Sequence, residues 1–296
     1  MPLTPYFTGI RTLAEKTMDE LAPAASAHPR LLHEAMRHSL FAGGKRFRPI
    51  LAVAACETVG GKRESVIPFA TAIEMIHTYT LIHDDLPAMD DDDLRRGVPT
   101  CHKKYGEAAA ILAGDALLTL AFEILADTAR FPGVSADTLL KVARETAIAV
   151  GSTGTVGGQM VDIEMAGKEP DMATLEYIHT HKTGKLIVAS VRGGAALAGA
   201  AADHLAALTE YGRSIGLAFQ IVDDLLDVEG SRAKTGKTPG SDLKHGKLTY
   251  PSIMGVEESR KLAVKLTDRA MESLTMFGES GARLRDLAEY VIARVF

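Results

Sequence analysis

An all-α fold is predicted by three observations. Strand-like alternation of apolar and polar residues is scarce, whereas Ala, Leu, Glu and Lys are abundant. Apolar residues recur at helical spacing through most of the chain. Two segments, 65–83 and 203–228, are too apolar for surface helices, and each closes on an acidic cluster, so both are expected at the centre. A chain of 296 residues is within reach of one large helical domain, and no low-complexity stretch or short-period repeat divides it. Residues 1–296 are therefore read as a single domain of roughly ten helices.

Taken in order, 6–22 carries Phe7, Ile10, Leu13, Ala14, Thr17 and Leu21 at helical spacing. Pro23 and Pro29 punctuate the link to a second helix over 30–41. Residues 48–59 are apolar, Ala-rich and expected to be buried, and Gly60-Gly61 stops that helix. After 65–83, further helices fit 106–129, 135–150, 155–166, 173–199, 203–228, 251–276 and 280–294. Met75, Met89, Met160 and Met165 read as core residues. The stretch 229–250 is the exception to helix. It holds Gly230, Gly236, Pro239, Gly240 and Gly246 with Lys234, Lys237, Lys244 and Lys247. A loop of that length is a functional lid or a flexible solvated segment. Its basic character beside an acidic cluster favours a lid that closes on phosphate.

The formal charge of −5 argues against a nucleic-acid partner, which favours a basic face. Cys56 and Cys101 have no metal-ligand or CxxC spacing and read as reduced thiols. The N-terminus lacks an apolar signal core, and no apolar run is expected to reach the ~20 residues of a membrane span. A soluble, cytoplasmic protein with no membrane span is expected.

The chemistry centres on His83–Gly97. Six aspartates, Asp84, Asp85 and Asp90–Asp93, fall within ten residues, and Arg95-Arg96-Gly97 follows. A charge run alone is commonly a solvated loop. A second cluster, Asp223, Asp224 and Asp227, also closes an apolar helix, and Asp223 and Asp227 share one helical face. Asp84 and Asp90 are six apart, and Pro87 between them should break the helix and let both reach one site. Ionised carboxylates this close repel unless cations sit among them, and Mg²⁺ is commonly held by one or two carboxylates plus substrate phosphates. Arginines supply planar donors for phosphate oxygens.

These segments resemble the trans-prenyltransferase (polyprenyl diphosphate synthase) family. DDLPAMDDDDLRRG and DDLLD are similar to its two aspartate-rich motifs, and the likeness is greatest to bacterial farnesyl diphosphate synthases. It extends in order through GGKRFRP (43–49), HTYTLIHDD (77–85), ILAGDALL (111–118), GGQMVDI (157–163), HKTGKL (181–186), FQIVDDLLD (219–227) and GKTPGSDLKHGKLTYP (236–251), over roughly residues 40–255.

The resemblance implies the isoprenoid synthase fold, helices around a central cavity, in a homodimer. It implies head-to-tail condensation of isopentenyl diphosphate with dimethylallyl and geranyl diphosphate. Three Mg²⁺ ions are implied, held by Asp84 and Asp90 on one side and Asp223 on the other. Asp85, Asp224 and Asp227 are ligands of second rank or orienters. Arg95, Lys182, Lys237 and Lys247 match positions that grip the allylic diphosphate. Lys45, Arg48, His77 and Arg96 match the metal-free isopentenyl diphosphate pocket, and His77, seven residues before Asp84, shares its helical face. Thr183 and Gln220 match positions facing the carbocation, while Gln159 and Asp162 read as supporting. Tyr79, five residues before the first aspartate and about 7.5 Å along the helix, matches the floor of the tail pocket, with small Thr80 beside it. Farnesyl diphosphate is the implied product, geranylgeranyl diphosphate the alternative. A terpene cyclase would lack the GGKRFRP and RRG set, and a silent partner subunit would be expected to lose an aspartate cluster. Arg294 is the only cation after Tyr290, so no basic tail marks what covers the isopentenyl site.

Overall fold

The computed structural model describes residues 5–165, 167–168, 171–228 and 249–295. The described residues form an all-α architecture. The helices are α1 (Pro5–Leu21), α2 (Arg30–Leu40), α3 (Phe47–Thr58), α4 (Arg63–Asp84), α5 (Cys101–Tyr105), α6 (Glu107–Ala126), α7 (Ala136–Val150), α8 (Thr155–Met165), α9 (Met172–Ile178), α10 (Lys185–Leu197), α11 (Ala202–Val228), α12 (Tyr250–Met254), α13 (Val256–Ser273) and α14 (Ala282–Ile292). Between α4 and α5 lies one two-stranded hairpin, β1 (Leu94–Arg95) and β2 (Val98–Pro99), paired antiparallel with Arg95 opposite Val98.

Helices α4 and α11 occupy the centre, packed among α3, α6, α10 and α13. On α4 the buried set runs round the whole helix, including Phe69, Ala70, Ile73, Met75, Ile76 and Ile82. Each such fully buried side chain contributes about 1.5–3 kcal/mol relative to exposure. Helix α3 is buried almost throughout, as its Ala-rich sequence predicts.

The long helix expected at 173–199 is split. A π-helical turn, His179–Gly184, separates α9 from α10. The helix expected at 251–276 is likewise broken at Gly255 into α12 and α13. Met160 is a correction: it is exposed on α8, whereas Met75 is buried and Met89 packs on the core. The expectation that no apolar run reaches membrane length is corrected: by length and composition alone α4 and α6 are each apolar enough to cross a membrane, because a few polar residues within a long helix leave its mean hydropathy high. The most apolar window of α4 is 72% buried within the chain, so it is core, while that of α6 is only 39% buried. Ile111 and Leu112 accordingly lie exposed on α6.

Candidate active site

The first acidic cluster forms where α4 ends. Pro87 lacks an N–H and blocks continuation of the helix. The chain turns back on itself, and the Asp90 N–H donates to the Asp84 carbonyl (2.9 Å). Two residues that an unbroken helix would turn apart therefore lie side by side. Asp85 is buried and accepts from Arg95 Nε (2.6 Å), and Arg95 also pairs with Asp92 (3.3 Å). Burial pushes the Asp85 carboxyl above its ordinary value against the pull of Arg95. Of the two roles open to Asp85, ligand or orienter, the geometry is that of an orienter for Arg95. Lys103 pairs with Asp93 (2.7 Å), which is turned to solvent.

The RRG segment is the hairpin turn. Arg96 and Gly97 both have positive φ, 55° and 82°, as a two-residue turn matching the twist of its strands requires. The tight turn sends adjacent arginines to different partners. Arg95 goes to Asp85, whereas Arg96 Nη1 donates to the Gly43 carbonyl. A Cβ on Gly44 would stand 2.6 Å from Arg96 Cζ, so only glycine lets this guanidinium lie against the backbone.

Around that contact the GGKRFRP segment gathers a basic pocket. Arg46 is buried with φ 51° and donates to Glu74 (3.1 Å), Glu15 (3.2 Å) and the Leu40 carbonyl (2.7 Å). Lys45 and Arg48 flank it in sequence. Burial pushes Arg48 down to about 10, which leaves it protonated at neutral pH. Burial, then Arg48, Arg96, Arg95 and Arg46, push His77 well below its ordinary value. His77 is thus a neutral hydrogen-bonding group among cations.

The second cluster lies on α11. Asp223 pairs with Arg294 (2.7 Å), whose guanidinium lies over Phe219 at 5.3 Å. Phe219 stacks on Phe47 at 5.1 Å. The sole cation after Tyr290 thus reaches the acidic cluster, close enough to Lys45 to depress its ammonium further after burial has done so. Asp224 is buried, and its Oδ2 accepts from the Tyr250 N–H at the start of α12 (3.0 Å). That N–H has no partner within its own helix. Asp224 Oδ1 accepts from Gln220 Nε2 (3.3 Å). Asp224, like Asp85, is placed as an orienter. Asp227 is buried one turn further along α11.

The π turn places Lys182 and Thr183 between the clusters, the setting in which such bulges recur at functional sites. Lys182 Nζ donates to Asp162 (2.7 Å). Burial acts against its charge, but Asp84, Asp162 and Asp90 outweigh it and raise the ammonium above its ordinary value. Thr183 donates to Gln220 Oε1 (3.1 Å), completing a chain Thr183–Gln220–Asp224. Gln159 is buried on α8. Lys237 and Lys247, and the lid expected over 229–250 apart from its last two residues, lie outside the described residues. Asp162 carries more weight than its sequence suggested. Glu74 was missed altogether, although a charged residue inside an apolar helix signals a buried pair.

Each acidic cluster faces a cation of the chain itself, Lys182 at Asp84 and Asp90 and Arg294 at Asp223. Among the described residues no three ligating side chains converge on one point. This donor set fits Mg²⁺, a hard cation that completes its shell with substrate phosphates.

Two buried neutral histidines carry a pH signature. His179 is pushed down to about 4, chiefly by burial, and His77 also lies below the ~6.5 of an unfolded chain. Above ~6.5 both states are neutral and neither group contributes. As pH falls below ~6.5 the unfolded chain binds protons that the fold refuses, so stability drops, by up to ~1.4 kcal/mol per pH unit per histidine. Thermal unfolding between pH about 7.5 and 4.5 should show this fall. His179→Gln should lessen it, leaving the part due to His77, and an unchanged slope in that variant rules His179 out as a source.

A model of the family described as polyprenyl synthetase matches residues 29–277. A dimethylallyltranstransferase of Fischerella ambigua is 51% identical over 270 residues, covering 91% of this chain and 78% of that protein. A geranylgeranyl diphosphate synthase of Cyanophora paradoxa is 46% identical, covering 99% and 96%. The crystal structure of an FPP/GFPP synthase from Zymomonas mobilis superposes with a TM-score of 0.85 at 38% identity, covering 97% of each chain. The fold is the isoprenoid synthase fold, and the chain belongs to the polyprenyl synthetase family of prenyltransferases.

Proposed function

We propose that the protein is a Mg²⁺-dependent farnesyl diphosphate synthase. It joins isopentenyl diphosphate to dimethylallyl and then geranyl diphosphate and stops at fifteen carbons. The observation that carries the prenyl-transfer part of this reading is the arrangement about Lys182, and the C15 limit rests on buried Tyr79, five residues before Asp84. Two acidic clusters and the Thr183–Gln220 pair meet at Lys182, with a separate basic pocket at Lys45, Arg48, His77 and Arg96.

The allylic C1–O bond breaks, diphosphate leaves, the isopentenyl double bond attacks the allylic cation, and a proton is lost to the released diphosphate. Charge separation is the hard step, so stabilising the leaving diphosphate dominates catalysis. Asp84, Asp90 and Asp223 would hold Mg²⁺, which when bound would supply Lewis-acid stabilisation of the leaving oxygens. Arg95, fixed by Asp85, and Lys182, fixed by Asp162, grip the same diphosphate. Lys237 and Lys247 join them in this reading. Thr183 and Gln220 present oxygen dipoles to the cation, without a charge that would capture it. Arg48, Arg96 and Lys45 bind isopentenyl diphosphate without metal, and neutral His77 adds a hydrogen bond.

Geranylgeranyl diphosphate is the second reading, and the relatives support it at least as well, since the Cyanophora protein and most of the other curated relatives are named geranylgeranyl diphosphate synthases. Labelled isopentenyl diphosphate with each allylic starter, followed by chromatography, tests both. C15 should dominate, and free extension of farnesyl diphosphate to C20 would favour the second reading.

The exposed apolar face of α6, with Ile111 and Leu112, supports a homodimer, because a helix this apolar is stable in water when a partner covers it. Light scattering should give about twice the 31.6 kDa chain mass. A monodisperse active monomer would overturn the dimer.

A further inference from the structure

Glu74 lies in the middle of α4, 1% exposed, among apolar neighbours. One carboxylate oxygen, Oε1, accepts from Arg46 Nη1 (3.1 Å). The other, Oε2, is buried and has no hydrogen-bond partner among the described residues. On the pocket side, Arg48 Nε is also buried without a partner. Arg96 is held to the Gly43 carbonyl and pressed onto Gly44. Without a counter-charge, Arg46, Arg48 and Arg96 would repel one another in the absence of a diphosphate.

We propose that Glu74 is the positioning residue of the metal-free pocket. Through Arg46 it anchors the Gly43–Arg48 loop, which carries Arg48 and receives Arg96 at the Gly43 carbonyl, and its buried charge, in contact with neither, balances theirs before a diphosphate arrives. The proposal rests on the reading of that pocket as the isopentenyl diphosphate site. Electrostatics agree with the geometry. Burial disfavours the charge on both Arg48 and Arg96, and Glu74 is the strongest influence restoring it on each, ahead of Asp223 for Arg48 and Asp85 for Arg96. Glu74 makes no direct contact with substrate in this scheme. A buried charge left without its partner is strongly disfavoured, so Arg46, and with it the loop that carries Arg48 and holds Arg96, would shift toward water if Glu74 lost its charge. Affinity would then fall even though a negative charge had been removed from the neighbourhood of an anion. A carboxylate that was mere electrostatic background would give the opposite sign.

The test compares Glu74→Gln and Glu74→Asp in steady-state kinetics, with Arg48→Ala and Arg96→Ala in parallel. Glutamine keeps an oxygen acceptor for Arg46 and removes the charge. It should raise the KM for isopentenyl diphosphate about 10-fold, while kcat and the allylic KM stay within about 2-fold. Aspartate keeps the charge on a shorter stem and should raise the isopentenyl KM by only about 3-fold. An unchanged or lowered isopentenyl KM in Glu74→Gln overturns the proposal, as does an equal rise in both KM values. Should Glu74→Gln not fold, Glu74→Asp decides, because parental values or equal rises in both KM values overturn the proposal there too. The arginine variants separate the two levels. If they raise the isopentenyl KM and Glu74→Gln does not, the pocket reading stands and the proposal fails. If they leave that KM unmoved, the pocket reading falls and the proposal falls with it.

Discussion

Asp84→Ala and Asp223→Ala should each slow turnover by on the order of 10³-fold or more, about 4 kcal/mol of transition-state stabilisation. The reason lies in the bond that breaks. In the proposed reaction, ionising an allylic C1–O bond leaves separated charges, and the acidic clusters would recruit the cations that stabilise the departing diphosphate. The two aspartates lie on different helices, so neither substitutes for the other. Both variants should still fold. After loss of Asp84, Lys182 keeps its 2.7 Å contact to Asp162 and the field of Asp90. After loss of Asp223, Arg294 keeps its place over Phe219. Each substitution also relieves repulsion among neighbouring carboxylates. Saturating steady-state rates, with circular dichroism as the folding control, check this. EDTA should abolish turnover of the parent and added Mg²⁺ should restore it. Near-normal rates in either variant would sink the assignment of metal to both clusters.

Under the proposed C15 limit, Tyr79→Ala should yield products of twenty carbons or more. Tyr79 is 6% exposed, one and a half turns before Asp84 on α4. Its ring meets His83 edge-on at 5.4 Å. His83 is itself fixed by the Ile111 carbonyl of α6 (3.0 Å) and by close approach to Gly114, where a Cβ would fall 2.2 Å from His83 Nε2. The phenol is thus braced from behind and cannot easily swing aside, which is what a wall against chain growth requires. Thr80 Oγ1 donates back to the His77 carbonyl (2.8 Å), so that small side chain is held along its own helix. A close-packed wall does not admit five further carbons, whereas an alanine leaves room for them. Removing a buried aromatic ring should also cost roughly 3–5 kcal/mol of stability, so the assay belongs well below the variant's melting temperature. With farnesyl diphosphate as starter, C20 and longer products should appear from the variant and be nearly absent from the parent. A parent that already makes C20 freely, or a variant that still stops at C15, removes Tyr79 from this role.

Much of the fold and of the candidate site was legible in the sequence, because the signals are local. Apolar periodicity marked α4 and α11, and their unusual apolarity placed them at the centre. Pro87 announced the break after Asp84, and the order of acidic and basic motifs pointed to a diphosphate chemistry. The π turn at His179–Gly184 was not legible. Its residues continue an acceptable helical pattern, and the extra residue in the turn depends on how α8 and α11 pack against it.

By itself the sequence determined the all-helical class, the two acidic helix ends and the residue types available for phosphate and metal, since each depends on neighbours within a turn or two of chain. Tertiary structure alone decided which of those charges face one another. Asp85 and Asp224 resemble Asp84 and Asp223 in sequence, yet Arg95 takes the first and the N-terminus of α12 takes the second. Arg294 meets Asp223 across seventy-one positions of sequence (294 − 223), and Glu74 became a buried counter-charge only when α1 and the Gly43–Arg48 loop closed over α4. The physical reason is that a carboxylate's role is set by its partner and its access to water. Both are properties of chain segments brought together from far apart.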